Sequence, residues 1–437
     1  MQVAIDKLPD ALTLCPHLVA LRCHFKDVDA YIVGGAVRDA LLGRPISDLD
    51  LISPVDPTSL AKVFARQING HWFWLDKERR QSRVVINTHD TFHSYDFALF
   101  RAPDLQRDLL DRDFTINALA IPLAGDLSVG SLIDPCNGLE DLRQNRLRMV
   151  SPASLSSDPL RILKGLRHAT ALCLQIDDVT RETMHSCSAS LAHVAPERIR
   201  KELWLVLEDE QAARGLQLLG NCRVGDFLFG AGYTAAIPDL LTTLNCCRDS
   251  WRQLIRNNNT VSKWLSREVE QGLRHDTLLL MVFLLRNVAS ALPIALAKGW
   301  RLSRKSTTSI SALSRLDEQV VSVLSTVAHN ERAYAWWADS YHVEPKLLLL
   351  AIAVVGSKAT GIVPAIIHAW VPLVNSLEKP RPADLIDGHW LNREFAIKQG
   401  PEMSKALEMV RKAEISGEVV SSDDAKEFLF RYYQNKH

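Results

Sequence analysis

Hydrophobic and polar positions follow two rhythms along this chain, and the change falls near residue 150. Before it, apolar runs of four to six residues are punctuated by Gly, Pro, Asp and Asn. Ala30–Val33, Leu49–Ile52, His71–Leu75, Arg83–Asn87, Ser94–Leu99 and Ala118–Pro122 are therefore predicted strands. Between two of them, Thr58–Ile68 carries the spacing of an amphipathic helix. After Ser151 the 3.6-residue period dominates, through Asp158–Leu172, Thr180–Leu207 and many later segments. Pro196, Pro238, Pro293, Pro345 and the Lys379–Pro382 stretch break it into separate helices. No internal repeat or low-complexity tract interrupts the pattern. The fold class expected is an α+β head, a mixed sheet with helices, followed by an all-α remainder.

Length and charge bound this picture without deciding it. With 437 residues the chain exceeds one ordinary core, so two to four folding units are expected. Lys plus Arg number 51 and Asp plus Glu 51, so no global charge advertises a nucleic-acid partner. Any RNA surface has to be a local basic stripe. The eight cysteines form no CxxC pair, which points to reduced thiols rather than a zinc site. Thr277–Leu285 and Leu347–Gly356 are the most apolar runs, each about half of the roughly 20 residues a membrane helix needs. Both are expected to be buried helices. Met1–Asp10 has two acids and no long apolar core, so no signal peptide is expected and the location implied is cytoplasmic.

Four stretches carry chemistry. Tyr31–Asp39 runs from a strand into Gly34-Gly35 and then a helix, where backbone N–H groups can approach a phosphate and Arg38 can hold one of its oxygens. The spacing fits neither GxGxxG nor a P-loop. In Gly43–Ile52, strand alternation puts Asp48 and Asp50 on one face and Leu49 and Leu51 on the other. Two carboxylates so placed repel unless a divalent cation neutralises them, and hard oxygen ligands suit Mg²⁺. Asp96, on a neighbouring predicted strand, is a candidate third carboxylate; its plainer reading is a surface acid.

Asp111–Ala120 supplies Arg112 for a triphosphate and Asn117 for a sugar, with helix capping by Asp113 or Thr115 as the rival reading. Ser157–His168 places Asp158 where an N-cap belongs and Pro159 at the first helical position. Arg161, one turn on, completes an acceptor and donor pair able to read the edge of a base, and Lys164 and Arg167 extend the row toward phosphates. A capped helix with a solvated basic face is the alternative.

Taken together and in this order, VGGAVRD, GRPISDLDLI, RDFTINALA, DPCNGLEDLRQNRLR and DPLRILKGLRHA resemble the bacterial-type (class II) tRNA nucleotidyltransferase and poly(A) polymerase family. Ala383–Gly388, Gln399–Pro401 and Gly417–Val419 are similar to its tail motif, whereas residues 215–375 match in helical texture only. The resemblance implies a DNA polymerase beta-like catalytic head over 1–150, a base-recognising helical neck over 151–215, and a body and tail over 216–437 that grip tRNA. It implies metal binding by Asp48 and Asp50, and triphosphate contacts from Gly35, Arg38 and Arg112. Asp158 and Arg161 would form an amino-acid template for CTP or ATP, supported by Lys164 and Arg167. Basic stripes for RNA are expected at Arg248–Arg274 and Arg301–Lys305, each with a solvated face as the plainer reading.

Departures from the family pattern bear on which nucleotides are added. Asp111 stands where a second Arg is usual, Ser157 where an acid is usual, Lys164 where an Arg is usual and His168 where an aromatic is usual. Lys cannot reproduce a planar bidentate fork. The connection Phe100–Leu110 is short, a feature associated in the family with enzymes that add CC and stop. The function implied is template-independent addition of CMP, as CC or full CCA, to the 3′ end of tRNA. An A-adding enzyme or a poly(A) polymerase is the alternative within the family; the mixed-charge C-terminal segment lacks the basic extension expected of the latter. A non-catalytic RNA-binding module that keeps the fold is the alternative of another class, and the oligomeric state is left open.

Overall fold

The computed structural model describes residues 12, 15, 17–88, 91–125, 127–256, 259–270, 272–314, 385–416 and 418–434. The chain divides into two compact units, Met1–Leu228 and Phe229–His437. The expected helix Leu347–Gly356 and the breaks at Pro345 and Lys379–Pro382 lie outside the described residues.

In the first unit, α1 (Leu18–His24), β1 (Tyr31–Val33), α2 (Gly35–Leu41), β2 (Asp48–Ser53), α3 (Thr58–Gln67), β3 (His71–Asp76), β4 (Gln81–Thr88), β5 (Thr91–Leu99), α4 (Leu105–Leu110) and β6 (Ala120–Pro122) follow in order. All six predicted strands form, within two or three residues of their expected ends. They make one sheet in the order β3-β4-β5-β2-β1-β6. Only β2 and β5 run parallel; the other neighbours are antiparallel.

Alternation gives this sheet two unlike faces. Leu49 and Leu51 on β2, Tyr95 and Phe97 on β5 and Val84 on β4 are buried. On that side Phe64 of α3 meets Tyr95 edge-on at 5.1 Å and Phe25 stacks on Phe97 at 5.6 Å. The other face carries Asp48, Asp50, Asp96 and Arg83, which sit in register across β2, β5 and β4. Its covering is partial. Ile52, Val33, Ala118 and Ala120 pack with Leu109 of α4 into a small cluster, which seals the C-terminal half of β2. Asp48 and Asp50, at the N-terminal half, remain open.

Helices follow: α5 (Gly138–Arg143), α6 (Pro152–Ser157), α7 (Leu160–Ala171), α8 (Asp178–Cys187), α9 (Pro196–Glu208) and α10 (Ala212–Asn221), with a short parallel pair of Arg146–Leu147 and Gln175–Ile176. Gly165 sets the approach of α7 to the head. A Cβ there would lie 2.4 Å from the Phe114 ring and 2.5 Å from Met184, so a hydrogen is what lets Phe114 dock.

In the second unit, α11 (Tyr233–Arg256), α12 (Asn259–Leu265), α13 (His275–Val288), α14 (Leu292–Gly299) and α15 (Arg304–Leu313) are described, then α16 (Gly388–Phe395), α17 (Pro401–Ser416) and α18 (Ser422–Gln434). Thr277–Leu285 is buried along its whole length within α13, as its composition predicts. Leu391, Val410 and Leu429 anchor a separate core for α16–α18. Among the described residues no helix is long and apolar enough to cross a membrane. Of the two expected basic stripes, Arg252 pairs with Asp249 and Arg274 with Asp276, while Arg304 and Lys305 are exposed at the start of α15.

Candidate active site

A cleft of about 1320 Å³ opens over the polar face of the sheet. One wall is the glycine turn and β2; the other is α6, α7 and the start of α9. Ten of the eleven site residues expected from the sequence line it: Gly35, Arg38, Asp48, Asp50, Arg112, Asn117, Asp158, Arg161, Lys164 and Arg167. Asp96 lies on the same sheet face but does not line the cleft.

On the sheet wall, backbone geometry does the placing. Gly34 has φ 73°, a conformation that L side chains resist, and it caps α2. A Cβ at Gly34 would sit 3.0 Å from Arg112 Nη1 and 3.6 Å from Asp50 Oδ2. The bare turn thus lets a guanidinium and a carboxylate close over the backbone. Asp48 accepts hydrogen bonds from Ser47 and Ser94. Asp50 is half-buried beside Asp96 and Asp48. Burial, then Asp96, push its carboxyl up to about 6, Arg112 opposes the rise, and Asp48 adds to it. Asp96 is held bidentately by Arg83, at 2.6 and 2.8 Å.

The polar residues of the glycine helix and the RDFT stretch form a relay. Arg38 is buried, donates to both oxygens of Asp39 at 2.9 Å and donates to Asn117 Oδ1 at 2.7 Å. Asn117 in turn donates through Nδ2 to Asp113 Oδ1 at 3.1 Å. Asp113 also accepts from the Phe114 N–H at 2.8 Å, and Thr115 Oγ1 donates to buried Asp141 at 2.6 Å. The rival capping reading does not describe these contacts: Phe114 is the N-cap of the short turn Thr115–Asn117, and no side chain caps it. Arg112 reaches Asp108 at 3.3 Å, and its buried Nε has no partner among the described residues. The guanidinium N–H groups that Asp108 does not use leave Arg112 with capacity for an anion in the cleft.

The helix wall departs from expectation at its start. Pro159, not Asp158, is the N-cap of α7, and no side chain caps this end. Asp158 closes α6 in an extended conformation; its carbonyl accepts from the Arg161 N–H at 2.9 Å. The turn of α6 ends directly against α7, which shifts the helix start by one residue and frees the carboxylate. That carboxylate meets Arg198 at 3.4 Å. Arg161 donates to the Ser154 carbonyl at 3.1 Å, and Arg167 makes a 2.7 Å ion pair with buried Glu202. His168, edge-on to Phe114, is held well below its usual pKa by burial, with Arg38, Arg167 and Lys164 adding to the effect, so it brings no charge to the cleft.

Arg198 and Glu202, both on α9, were not legible as site residues. They stand four apart on an ordinary amphipathic helix, and only the packing of α9 on α7 brings them to the row. Glu78, Arg79, Arg80 and Gln81, at the β3–β4 turn, line the far end of the cleft and were also missed.

Among the described residues no three His, Cys, Asp or Glu side chains gather as a metal cluster. A cation held by Asp48 and Asp50 would complete its shell with water and ligand oxygens, the habit of Mg²⁺ rather than of zinc.

Comparison with known proteins agrees with this geometry. Residues 30–148 match the poly(A) polymerase head domain, and residues 173–231 match a probable RNA- and SrmB-binding site of polymerase A. The chain is 37% identical over 216 residues to a CC-adding tRNA nucleotidyltransferase of Geobacter sulfurreducens, a match that covers 49% of either protein. It is 28% identical over 424 residues to a CC-adding tRNA nucleotidyltransferase of Synechocystis, covering 94% of this chain and 97% of that one. A CCA-adding enzyme solved in complex with CTP shares the fold, with a TM-score of 0.68 at 19% identity over 100% of this chain and 99% of that one. With its motifs gathered in one cleft and relatives aligned along nearly its whole length, this chain carries a poly(A) polymerase head domain and is similar to the tRNA nucleotidyltransferases.

Proposed function

We propose that this protein adds CMP from CTP to the 3′ end of tRNA, releasing pyrophosphate, and that it stops after CC. One observation carries the reading. The Asp48–Asp50 pair and the Asp158–Arg167 row open into one cleft, with the Gly34–Gly35 turn between them. Metal, triphosphate and base can then be held together at a single reacting centre.

Asp48 and Asp50 would hold Mg²⁺. Their hard oxygens fit it, and the raised pKa of Asp50 marks a place where added positive charge is favourable. When bound, Mg²⁺ supplies acidification of the attacking 3′-hydroxyl and neutralisation of the triphosphate. Asp96 would act behind them, its charge shared with Arg83. Gly35, Arg112 and Arg38 would contact the triphosphate, Arg38 being aimed by Asp39 and Asn117. Asn117 is thereby occupied largely in positioning. Asp158 and Arg161 would read the Watson–Crick edge of the incoming base, and Lys164 and Arg167 would extend the positive row. The cytoplasm is the location this reading proposes for the reaction.

The CC endpoint is supported by the connection after β5. It is folded into α4, and buried Asp108 ties it down by accepting from the Arg101 N–H at 2.8 Å and from Arg112. No long mobile segment is needed to span residues 100–110. The two CC-adding relatives point the same way. The test offers purified protein tRNAs ending before CCA, after C and after CC, each with CTP or ATP. Two C additions and no use of ATP are expected. Incorporation of A onto a CC end would reject the CC endpoint, and no incorporation at all would reject the activity.

A further inference from the structure

The sheet register leads from the carboxylates to an unassigned row of side chains. Asp50 pairs with Asp96, Asp96 with Arg83 and Arg83 with Phe73, so these four residues share one face across β2, β5, β4 and β3. The opposite face is fixed independently: Trp72 packs under Lys62 of α3 at 4.4 Å and meets Trp74 edge-on. His71 and Phe73 are therefore turned to the polar side of the sheet. Phe73 is 42% exposed and Leu75 41%, among the few large apolar side chains on the described surface that are so open. Three strand spacings, about 14 Å, separate Phe73 from Asp50.

In-line displacement puts the attacking oxygen and the leaving pyrophosphate on opposite sides of the α-phosphorus. The glycine turn and Arg112 lie on the β1 side of β2. A hydroxyl attacking a triphosphate held there has to arrive from the β5–β4–β3 side. That is the side on which Arg83 and Phe73 lie, and an unpaired RNA end is held by stacking on aromatic and guanidinium planes.

Building on the nucleotidyl-transfer reading, we propose that Phe73, beside the Asp96-braced Arg83, is the platform on which a base at the 3′ end of the acceptor RNA stacks. Arg83 presents a fixed cationic plane because both carboxylate oxygens of Asp96 hold it. Phe73 serves the RNA and not the incoming nucleotide, since it stands on the far side of the carboxylates from α7.

The test uses full-length protein and a tRNA lacking its CCA end whose last base is replaced by fluorescent 2-aminopurine. Stacking should quench the fluorophore on the wild-type protein. Phe73→Ala should abolish the quenching and raise the Kd for this RNA about tenfold, with KM for CTP and the melting temperature unchanged. Phe73→Tyr should restore both signals, and Phe73→Leu, which keeps apolar area but no ring, should not. Unchanged RNA affinity in Phe73→Ala overturns the proposal. So does a wild-type dimer that the substitution dissociates, since the edge of the sheet would then face a second copy. A Phe73-dependent quench without CMP incorporation would uphold the platform and overturn the reaction assigned above.

Discussion

The two walls of the cleft are built by different means. On the sheet wall, Asp48, Asp50 and the Gly34 turn are placed by strand register and one left-handed glycine, both properties of the backbone. On the helix wall, Asp158 and the row on α7 are aimed by partners from other helices: Arg198 for Asp158, Glu202 for Arg167 and the Ser154 carbonyl for Arg161. A wall fixed by backbone tolerates no change in its few residues. A wall aimed by side-chain pairs can be retuned by substitutions outside it. On the function proposed above, the shared chemistry would belong on the first wall and nucleotide choice on the second.

The largest expected effect breaks the sheet wall. Asp48→Ala or Asp50→Asn should lower single-turnover CMP incorporation by on the order of 10³-fold while tRNA affinity stays within about twofold; activity retained in both variants would remove these residues from catalysis. Next comes Gly34→Ala. Its φ 73°, ψ −131° backbone, which side chains rarely adopt, should cost about 1–3 kcal/mol in urea unfolding, and displacement of Arg112 should reduce kcat by roughly 10²-fold. A full-rate variant would mean that the close approach at Gly34 is incidental.

On the helix wall the effects should be smaller and of another kind. Glu202→Gln releases the Arg167 guanidinium from a buried partner, and kcat/KM for CTP should fall about tenfold, or 1.4 kcal/mol, with a smaller loss for competing nucleotides. Equal losses for all nucleotides would argue that Glu202 only supports the fold. Arg198→Ala, which removes an exposed pair, should change KM for CTP by no more than about threefold, within the roughly 1 kcal/mol typical of such pairs, and the difference should vanish in high salt. An effect as large as that of Glu202→Gln would erase the distinction between the two partners.

How much of this was legible depends on distance along the chain. Alternation over Asp48–Leu51 told which side chains share a face, because a strand has period two whatever it packs against. The helix row Arg161, Lys164, Arg167 was legible for the same reason at period 3.6. Asp158 shows the limit. Its composition fits an N-cap, yet α6 abuts α7 so closely that Pro159 takes the cap and the carboxylate turns to Arg198. Asn117 reads as a ligand for a sugar, but a buried Arg38 claims its oxygen and Asp113 its amide.

By itself, then, the chain's order of residues determined the elements, their faces and the inventory of groups able to bind metal, phosphate and base, since each follows from local geometry over a few residues. Tertiary structure alone decided the pairings: Arg83 with Asp96, Arg167 with Glu202, Arg112 against the bare Gly34 turn. Such contacts depend on strand register and on the crossing of α7 with α9, which fix angstrom-scale distances between residues 13 to 78 positions apart. Local propensity carries no information about those distances.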